Sequence, residues 1–578
     1  MRDPDAVRRL LGRALYARGR WIFEPAKRGP GRRDLVWRGP QTPEDGDIVI
    51  AEVGWEGPEH LDEMRGAEDR PHWDDHAVAS QFRLRVGFPP EVESEAAAFG
   101  EPHAEEWADR EDRRDDLVLT IDPADARDHD DALGVRDLGG GRFEVGIHIA
   151  DVSWYVRPGS ALDEEARLRG TSCYLPAGVI PMLPERLSAD LCSLREGVDR
   201  LVLSVYAELD EDGVLHGFRF SEGVIRIRAG LSYEQVQAAL DGHDELPDEH
   251  RECVSLLMRL ARRLRERRFD TGALRLESVE VKAVLDEHGD TLEMVRRAHL
   301  ESHELVEEFM LLANRCVGES ASVRESGVLW RVHEPPVDRK LADLDEMLRV
   351  LRLPRLGHPE PHRALQSLLA VPLDEPKRRL LHRLVLRSMT RARYLERDLG
   401  HFGLATYEYL HFTSPIRRYP DLHNHRRVRE WVRRQRDEAW DPGENARLAA
   451  DCSAREQDAT DAEREGVKVK GLRLLAGRLG DTASGSISGL LPRGFFVELD
   501  EPPVDGFVAV GDQLDDRFDL DPSGMSLVGR RTRRRFTLGD SVVVTIARVD
   551  VPARTCDLVL DEGGPKRGRR AQRRPGWR

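Results

Sequence analysis

Short apolar runs, separated by turns rich in Gly, Pro and Arg, predict a small β-module over residues 1–95. Two of these runs, residues 21–23 and 47–53, are expected to form strands. The segment that follows, residues 96–116, is acidic and rich in Ala, which predicts a linker with some helix. The first part of the chain is therefore expected to be a reduced β-barrel module of the cold-shock or OB type.

Residues 117–476 mix the two hydrophobic periods and are predicted to form one large α+β domain. Apolar and polar residues alternate as in strands over residues 143–156 and 201–210. A turn at residues 288–290 predicts a hairpin between residues 279–285 and 291–295. A helical period of apolar residues appears in four further segments: residues 252–268, 303–319, 338–351 and 377–395. Residues 444–476 are expected to form a long polar helix.

After residue 480 the pattern changes to short strands with turns between them. Four runs, residues 484–489, 494–499, 506–510 and 541–549, have the spacing of a five-stranded OB-type barrel, which we place at residues 477–562. The last segment, residues 563–578, is rich in Lys and Arg without a core-forming pattern. It is expected to be a basic disordered tail.

Composition bounds the class of protein. At 578 residues with 40% hydrophobic residues, the chain is long enough for several domains with real cores. The net charge of −17 argues against a uniformly basic nucleic-acid binder, but an enzyme with a narrow basic channel can be acidic outside. Scattered cysteines without a Cys-x-x-Cys pair, and the lack of a signal core or membrane-spanning apolar run, favour a cytoplasmic protein that does not contact membranes.

Five aspartates fall within ten positions directly after the apolar run at residues 117–119: Asp122, Asp125, Asp128, Asp130 and Asp131. Carboxylates this close repel one another, and a folded site holds them ionised only with a cation among them. Their hard oxygens favour Mg²⁺ or Mn²⁺ over Zn²⁺. Taken alone, the cluster fits either an acidic loop or a metal-assisted phosphoryl-transfer site. A calcium loop fails because Gly is missing at the sixth position and Glu at the twelfth.

Seven segments, in order along the chain, resemble the motifs of the ribonuclease II/ribonuclease R family, whose catalytic unit is the RNB domain. They are residues 120–133, 145–153, 174–176, 191–194, 307–314, 331–336 and 411–422. The resemblance implies a multidomain α+β fold with a central RNB domain and flanking OB-type β-barrels. It also implies a hydrolytic 3′→5′ exoribonuclease that degrades single-stranded RNA to nucleoside 5′-monophosphates in RNA turnover.

The same resemblance assigns roles to individual residues. Four aspartates match the family's carboxylates and are expected to bind Mg²⁺, with Mn²⁺ as a possible substitute: Asp122, Asp128, Asp130 and Asp131. Asp130 is expected to be the most sensitive catalytic residue, together with Asp128 and Arg417. A guanidinium at Arg417 can clamp phosphate oxygens, and Arg418 is a second candidate for substrate binding. Asp125 lies outside the matched set and is expected to be a solvated loop residue.

Further residues match positions that contact the RNA. Tyr174 is expected to stack on the 3′-terminal nucleotide, and Glu307 to accept a hydrogen bond from its 2′-OH. Glu463 matches another glutamate near the active centre. The C-terminal barrel resembles an S1 domain, in which Phe495 and Phe496 are candidates for base stacking, one of them being expected to belong to the core.

The resemblance is closer to ribonuclease R than to ribonuclease II, with a shortened N-terminal region that leaves room for one OB-type module before the aspartates. The expected partner is the 3′ end of single-stranded RNA, and the expected state is a monomer. Two rivals are a catalytically idle RNA-binding regulator with the same fold and a deoxyribonuclease. Intact aspartates and Arg417 argue against the first, and Glu307 and Tyr174 against the second.

Overall fold

The protein is described from a computed structural model, which describes most of the chain. The described residues are 8–17, 20–25, 35–37, 43, 48–53, 58–64, 74–103, 105, 107–243, 246–276, 280–324, 327–434, 441–521 and 523–561. The predicted basic tail at residues 563–578 lies outside the described residues.

The N-terminal region forms a five-stranded antiparallel sheet followed by two short helices. Its strands are β1 (Arg8–Ala17), β2 (Arg20–Pro25), β3 (Leu35–Val36), β4 (Ile48–Val53) and β5 (Pro58–Met64), in the order β3-β2-β1-β4-β5. The helices are α1 (Asp74–Gln81) and α2 (Pro90–Ala98). Both predicted strands are confirmed, and the assignment of this sheet to the cold-shock or OB type stays a prediction.

A seven-stranded sheet lies at the centre of the protein, in the order β14-β7-β8-β9-β12-β13-β6. The strands of this region are β6 (Glu111–Arg113), β7 (Val118–Asp122), β8 (Asp131–Gly139), β9 (Arg142–Ala150), β10 (Cys173–Leu175), β11 (Gly178–Ile180), β12 (Asp199–Asp210), β13 (Leu215–Arg226) and β14 (Ala229–Ser232). β10 and β11 form a separate hairpin. The predicted linker at residues 96–116 therefore contributes an edge strand, β6, which pairs in parallel with β13.

Helices cover the sheet and connect it to the barrel. They are α3 (Val152–Tyr155), α4 (Ala161–Arg169), α5 (Tyr233–Leu240), α6 (Asp248–Asp270), α7 (Glu301–Ser322), α8 (Asp338–Val350), α9 (Pro361–Leu369), α10 (Glu375–Ser388), α11 (Tyr419–Arg433) and α12 (Pro442–Ala476). Two further strand pairs are β15 (Glu280–Leu285) with β16 (Thr291–Arg297), and β17 (Trp330–Val332) with β18 (Arg393–Leu395). α6 and α7 bury their apolar faces against the central sheet.

Two predicted elements are wrong at their ends for the same physical reason. The strand predicted at residues 143–156 ends at Ala150, and the predicted helix at residues 377–395 ends at Ser388. Beyond these points the chain turns to serve contacts that are distant in sequence. Asp151 enters a buried ion cluster, and Arg393–Leu395 pairs with Trp330–Val332. A local period of apolar residues does not contain this information.

The C-terminal region is a closed barrel with strand order β19-β20-β21-β26-β25 and a small three-stranded sheet beside it. Its elements are β19 (Thr482–Leu491), β20 (Gly494–Leu499), β21 (Asp505–Val508), α13 (Val510–Leu514), β22 (Phe518–Leu520), β23 (Ser526–Gly529), β24 (Arg535–Thr537), β25 (Ser541–Asp550) and β26 (Thr555–Leu560). Phe495 is 0% exposed and packs in the barrel core, whereas Phe496 is 39% exposed. We therefore correct the assignment of Phe495, because a fully buried ring cannot stack on RNA.

None of the described helices is both long enough and apolar enough to cross a membrane.

A buried ion cluster joins the edge strand β6 to the sheet and to α11. Asp151 is buried, its Oδ2 accepts a hydrogen bond from the Arg110 guanidinium at 2.7 Å, and its Oδ1 accepts one from Ser153 at 2.7 Å. Arg429 lies 4.0 Å away. Burial alone would raise the pKa of Asp151, but Arg429 and Arg110 hold it well below its usual range. The carboxylate thus stays charged and ties three elements together.

Asp151→Asn is expected to lower the free energy of unfolding by about 3 kcal/mol, because it removes the carboxylate bonded to Arg110 and leaves Glu222, 3.8 Å from Arg110 and 3.1 Å from Arg429, as the remaining counter-charge. Urea denaturation measures this effect. The matched control is Asp116→Asn, since Asp116 forms a more exposed pair with Arg113 and should change stability by less than about 0.5 kcal/mol. Equal effects of the two substitutions would contradict the structural role of the cluster.

Candidate active site

The loop between β7 and β8 carries the aspartate cluster. Asp122 is the last residue of β7 and Asp131 the first of β8, so the sheet fixes both ends of the loop. Ser193 holds the middle of the loop: its Oγ donates to the Arg127 carbonyl at 2.7 Å and accepts from the His129 N–H at 3.2 Å. The motif at residues 191–194 therefore shapes the loop on which the aspartates lie.

Three of the aspartates contact specific protein donors. Oδ2 of Asp122 is 2.7 Å from Nδ1 of His129. Oδ2 of Asp128 accepts a hydrogen bond from the Tyr174 hydroxyl at 2.9 Å. Asp130 is buried, and its Oδ1 accepts from the main-chain N–H of Ile416 at 2.9 Å. The cluster is thus connected to Tyr174 and to the loop before α11, two segments that are distant from it in sequence.

The electrostatics of the cluster favour a bound cation. Burial raises the pKa of Asp130 well above its usual range. Burial, together with the charge of Asp122, raises the pKa of Asp131 to about 7. The hydrogen bond to Asp122 raises the pKa of His129 despite its burial. Burial therefore disfavours the ionised form of Asp130 and Asp131 unless a cation lies among the carboxylates.

The donor chemistry fits a divalent metal, since all four matched side chains offer carboxylate oxygens, the ligands that Mg²⁺ prefers. Within the described residues, however, no three Asp, Glu, His or Cys side chains converge in the arrangement that a metal ion needs. Asp122 and Asp128 are hydrogen-bonded to His129 and Tyr174 instead. The four aspartates therefore match a divalent metal in their charge and in the type of ligand atom that they offer.

Arg417 lies beside Asp130 on the loop before α11. Its Nε is 3.4 Å from Oδ2 of Asp130, and one terminal nitrogen donates to Oγ of Ser414 at 3.0 Å. The side chain is 43% exposed. Its main-chain carbonyl accepts from Ser172 N–H at 2.9 Å, so the loop is also attached to the segment that leads into β10. The guanidinium thus combines a fixed position with a face open to an anion.

Arg418 occupies a different environment. Its guanidinium donates to both oxygens of buried Asp421, at 2.9 and 2.7 Å, and Asp421 also accepts from Ser414 N–H at 2.9 Å. These contacts occupy the guanidinium at the start of α11. We correct the substrate-binding assignment of Arg418: its side chain stabilises the loop that carries Arg417.

Buried His425 and Asn314 hold the same loop from behind, and buried His423 contacts Gly327. Nε2 of His425 is 2.8 Å from the Phe412 carbonyl, and Oδ1 of Asn314 accepts from Phe412 N–H at 2.8 Å. Nε2 of His423 is 2.8 Å from the Gly327 carbonyl. Burial lowers the pKa of both His423 and His425 to about 4. These histidines are therefore neutral in the folded protein near pH 7.

Acidification is expected to destabilise the fold between pH 6.5 and about pH 4. The folded-state pKa values of His423 and His425 lie below the ordinary value of 6.5, so the unfolded chain binds more protons in this range. The contribution of each neutral histidine to the free energy of unfolding is fully present above pH 6.5. It is smaller by about 2 kcal/mol at pH 5. Urea denaturation of the parent and of His423→Gln at pH 7.5, 6.5 and 5.0 measures this contribution, since the opposing linkage of Asp130 and Asp131 is common to both proteins. An equal pH dependence of the two proteins would contradict it.

Tyr174 lies on the β10–β11 hairpin with its ring 39% exposed, while its hydroxyl contacts Asp128. Its main-chain N–H donates to Oε1 of Glu463 on α12 at 2.8 Å. Burial raises the pKa of Glu463. The predicted site residues Tyr174 and Glu463 are thus brought together, with Glu463 contacting the backbone of the tyrosine.

Glu307 projects from α7 with 48% of its side chain exposed, and Arg268 lies 3.8 Å away. Its neighbour Glu308 is buried and pairs with the same arginine. Within the described part of the chain, no hydrogen bond or ion pair joins Glu307 to the aspartates. The structure therefore leaves Glu307 accessible without placing it in the cluster.

The structure adds two residues that sequence reasoning missed. Tyr233 follows Ser232, which pairs with Asp122 across β14 and β7. Its pKa is raised by burial and then by the charges of Asp131 and Asp122, so the tyrosine lies within electrostatic range of the cluster. Lys282 on β15 lies 3.1 Å from Asp125, whose side chain is 75% exposed, as expected for a solvated loop residue. The only sequence signal for either is strand pairing, which one chain alone does not reveal.

Comparison with known proteins gives the fold and site a family. The model of the RNB domain matches residues 110–434. Ribonuclease R of Thermotoga maritima is 38% identical over 487 residues, covering 82% of this chain and 68% of the relative. Ribonuclease R of Vibrio cholerae is 34% identical over 556 residues, covering 92% and 68%. The solved structure of Mycoplasma genitalium RNase R in complex with ribose methylated single-stranded RNA has a TM-score of 0.88 and 26% identity, covering 96% of this chain and 90% of that one.

The fold and the matched domain define an exoribonuclease of the RNB type, acting in the 3′→5′ direction, which confirms the predicted activity and the multidomain α+β fold class. Within that class, the chain belongs to the ribonuclease R family.

Proposed function

We propose that this exoribonuclease degrades single-stranded RNA by stacking its 3′-terminal base on Tyr174 beside the aspartate cluster. One observation carries the proposal: the Tyr174 hydroxyl donates to Asp128 at 2.9 Å while its ring stays exposed. An aromatic platform is thus fixed next to the groups that would act on the last phosphodiester. Stacking holds any base, as degradation of arbitrary sequences requires.

Family members generally use a divalent metal. We place it on Asp122, Asp128, Asp130 and Asp131, with Mg²⁺ as the physiological ion and Mn²⁺ as a substitute. When bound, such an ion lowers the pKa of a coordinated water and neutralises developing negative charge. The raised pKa values of Asp130 and Asp131 support this placement, because burial penalises the ionised form of both carboxyl groups and a bound cation would offset that penalty.

Arg417 and Glu307 complete the proposed site. The partly exposed guanidinium of Arg417 can donate two parallel hydrogen bonds to phosphate oxygens while Asp130 and Ser414 hold its position. Glu307, accessible on α7, would accept a hydrogen bond from a ribose 2′-OH and so discriminate RNA from DNA. For Glu463 we retain a role at the site through Tyr174, whose N–H it accepts.

The closed C-terminal barrel is proposed to be an S1-type module that binds the RNA strand outside the active site. Its exposed Phe496 ring lies 5.1 Å from Phe507, and Arg493 lies over Phe507 at 5.3 Å. Aromatic rings beside a cation form the kind of surface on which single-stranded nucleic acid stacks. The structural relative from M. genitalium was solved with single-stranded RNA. A cytoplasmic location and a monomeric state stay predictions from the sequence.

Phe496→Ala is expected to weaken RNA binding about 10-fold, because base–aromatic stacking contributes about 1–3 kcal/mol per base. The measurement is the fluorescence anisotropy of a labelled single-stranded RNA, made in an Asp130→Asn background so that the RNA stays intact. Val559→Ala, at another exposed position of the barrel, is the control and should leave the affinity within 2-fold. An unchanged Kd for Phe496→Ala would argue against the barrel as an RNA-binding surface.

Digestion of 3′- and 5′-labelled RNA and DNA, with Mg²⁺ or EDTA, tests the proposed function as a whole. We expect stepwise shortening of 5′-labelled RNA, release of labelled mononucleotide from 3′-labelled RNA, no digestion of DNA and no activity in EDTA. RNA binding without hydrolysis would favour the catalytically idle regulator. Equal digestion of DNA would favour a general phosphodiesterase.

A further inference from the structure

The hairpin that carries Tyr174 has two faces. In β10, Cys173 and Leu175 are buried, while Tyr174 between them is exposed toward the aspartates. β11 pairs with β10 through a turn at Pro176 and Ala177. A two-stranded hairpin of three residues per strand is not stable alone. The position of the Tyr174 ring therefore depends on whatever holds the buried face and the turn.

One face of α12 holds the hairpin. The Cys173 thiol contacts the Ala459 carbonyl at 3.7 Å, and Glu463 accepts the Tyr174 N–H at 2.8 Å. At Gly466 an added Cβ would lie 2.7 Å from Pro176, so only glycine permits this approach. Residues 459, 463 and 466 share one helix face by their spacing of four and three.

The next turns of the same helix face hold α1. Lys470 is fully buried, and its Nζ donates to Oδ2 of Asp74 at 3.0 Å. Arg473 donates to both oxygens of Asp74 at 2.6 Å. α1, which follows the N-terminal sheet, is thus fixed on α12 by Asp74, its first residue.

The second residue of α1, Asp75, contacts the hairpin instead of α12. Its Oδ2 accepts from the Ala177 N–H at 2.6 Å, directly at the turn. Its Oδ1 is buried and has no hydrogen-bond partner among the described residues. The Asp75 side chain is partly buried, and α1 is already attached to α12 through Asp74. Asp75 therefore contacts the turn of the hairpin that carries Tyr174.

We propose that Asp75 is a positioning residue for RNA hydrolysis: it fixes the turn of the Tyr174 hairpin, so that docking of α1 sets the platform for the 3′-terminal base. The proposal rests on the role given to Tyr174 in the proposed function. It assigns the segment after the N-terminal sheet a direct influence on how the 3′ end is held.

The test is a set of kinetic measurements on the full-length protein with single-stranded RNA. Asp75→Ala should raise KM about 10-fold with a smaller change in kcat, since a displaced platform weakens binding of the 3′ end. Asp75→Asn keeps a carbonyl oxygen for the Ala177 N–H and should stay within 3-fold of the parent. Asp75→Ser, whose side chain is too short to reach, is the second variant if Asp75→Ala does not fold.

A double-mutant cycle with Tyr174→Ala separates positioning from general destabilisation. If Asp75 acts through Tyr174, Asp75→Ala or Asp75→Ser changes KM less than 2-fold in the Tyr174→Ala background. In the protein that keeps Tyr174, the Asp75 substitutions should likewise change KM less than 2-fold when the RNA ends in an abasic 3′-terminal nucleotide. Additive effects in either comparison would overturn the proposal. A Tyr174→Ala protein with unchanged kinetics would instead refute the proposed role of Tyr174, which distinguishes the two failures.

Discussion

Asp130→Asn is expected to reduce RNA hydrolysis at least about 10³-fold without loss of stability. The carboxylate lies in the centre of the site, with one oxygen on the Ile416 N–H and the other 3.4 Å from Arg417. Asparagine keeps the size but removes the charge that a metal ion and Arg417 both require. Multiple-turnover rates on 5′-labelled RNA measure the loss.

The stability of this variant makes the prediction specific. Burial raises the pKa of Asp130, which means that its ionised form is destabilised by the fold at neutral pH. Replacing it by a neutral isostere should therefore leave the Tm unchanged or raise it. A lower Tm together with lost activity would point to unfolding and contradict a catalytic role.

Asp125→Asn is the matched control, since it is the same substitution in the same loop. Asp125 is exposed and pairs with Lys282 at 3.1 Å outside the cluster. Exposed ion pairs contribute little, so activity should stay within 3-fold of the parent. Comparable losses from both substitutions would mean that the loop as a whole, and not Asp130, is required.

The sequence predicted the features that depend on residues close together in the chain. The aspartates fall in one loop because they fall in one segment between two strands, and α12 (Pro442–Ala476) confirms the long polar helix predicted at residues 444–476. In the closed C-terminal barrel, four of the five strands were likewise predicted from the spacing of turns. Such features depend on local geometry, which a single chain contains.

Contacts between distant segments were beyond the reach of the sequence. The hydrogen bond from the Ile416 N–H to Asp130 joins residues that are 286 positions apart. Tyr233 lies within electrostatic range of the cluster only through the parallel pairing of β14 with β7. Asp75 and Ala177 are 102 residues apart and meet only after α1 docks on α12. These contacts are consequences of packing, and they decide which matched residues are free to bind RNA.

Arg417→Lys is expected to lower kcat/KM about 10²-fold although the positive charge is kept. The guanidinium contacts Asp130 through Nε and Ser414 through a terminal nitrogen, and its planar fork still presents donors to an anion. A lysine ammonium is a point donor that cannot hold this geometry and bind two phosphate oxygens in parallel. Steady-state kinetics on single-stranded RNA measure the effect.

The contrast with a nearby conservative change decides whether geometry or charge matters. Arg464 on α12 follows Glu463 and is exposed, with Asp461 3.9 Å away. Arg464→Lys should therefore leave kcat/KM within 2-fold. Because Arg417 is partly exposed, neither variant should shift the free energy of unfolding by more than about 0.5 kcal/mol. Full activity of Arg417→Lys would show that the site needs only a positive charge there, and the phosphate clamp would have to be assigned to another residue.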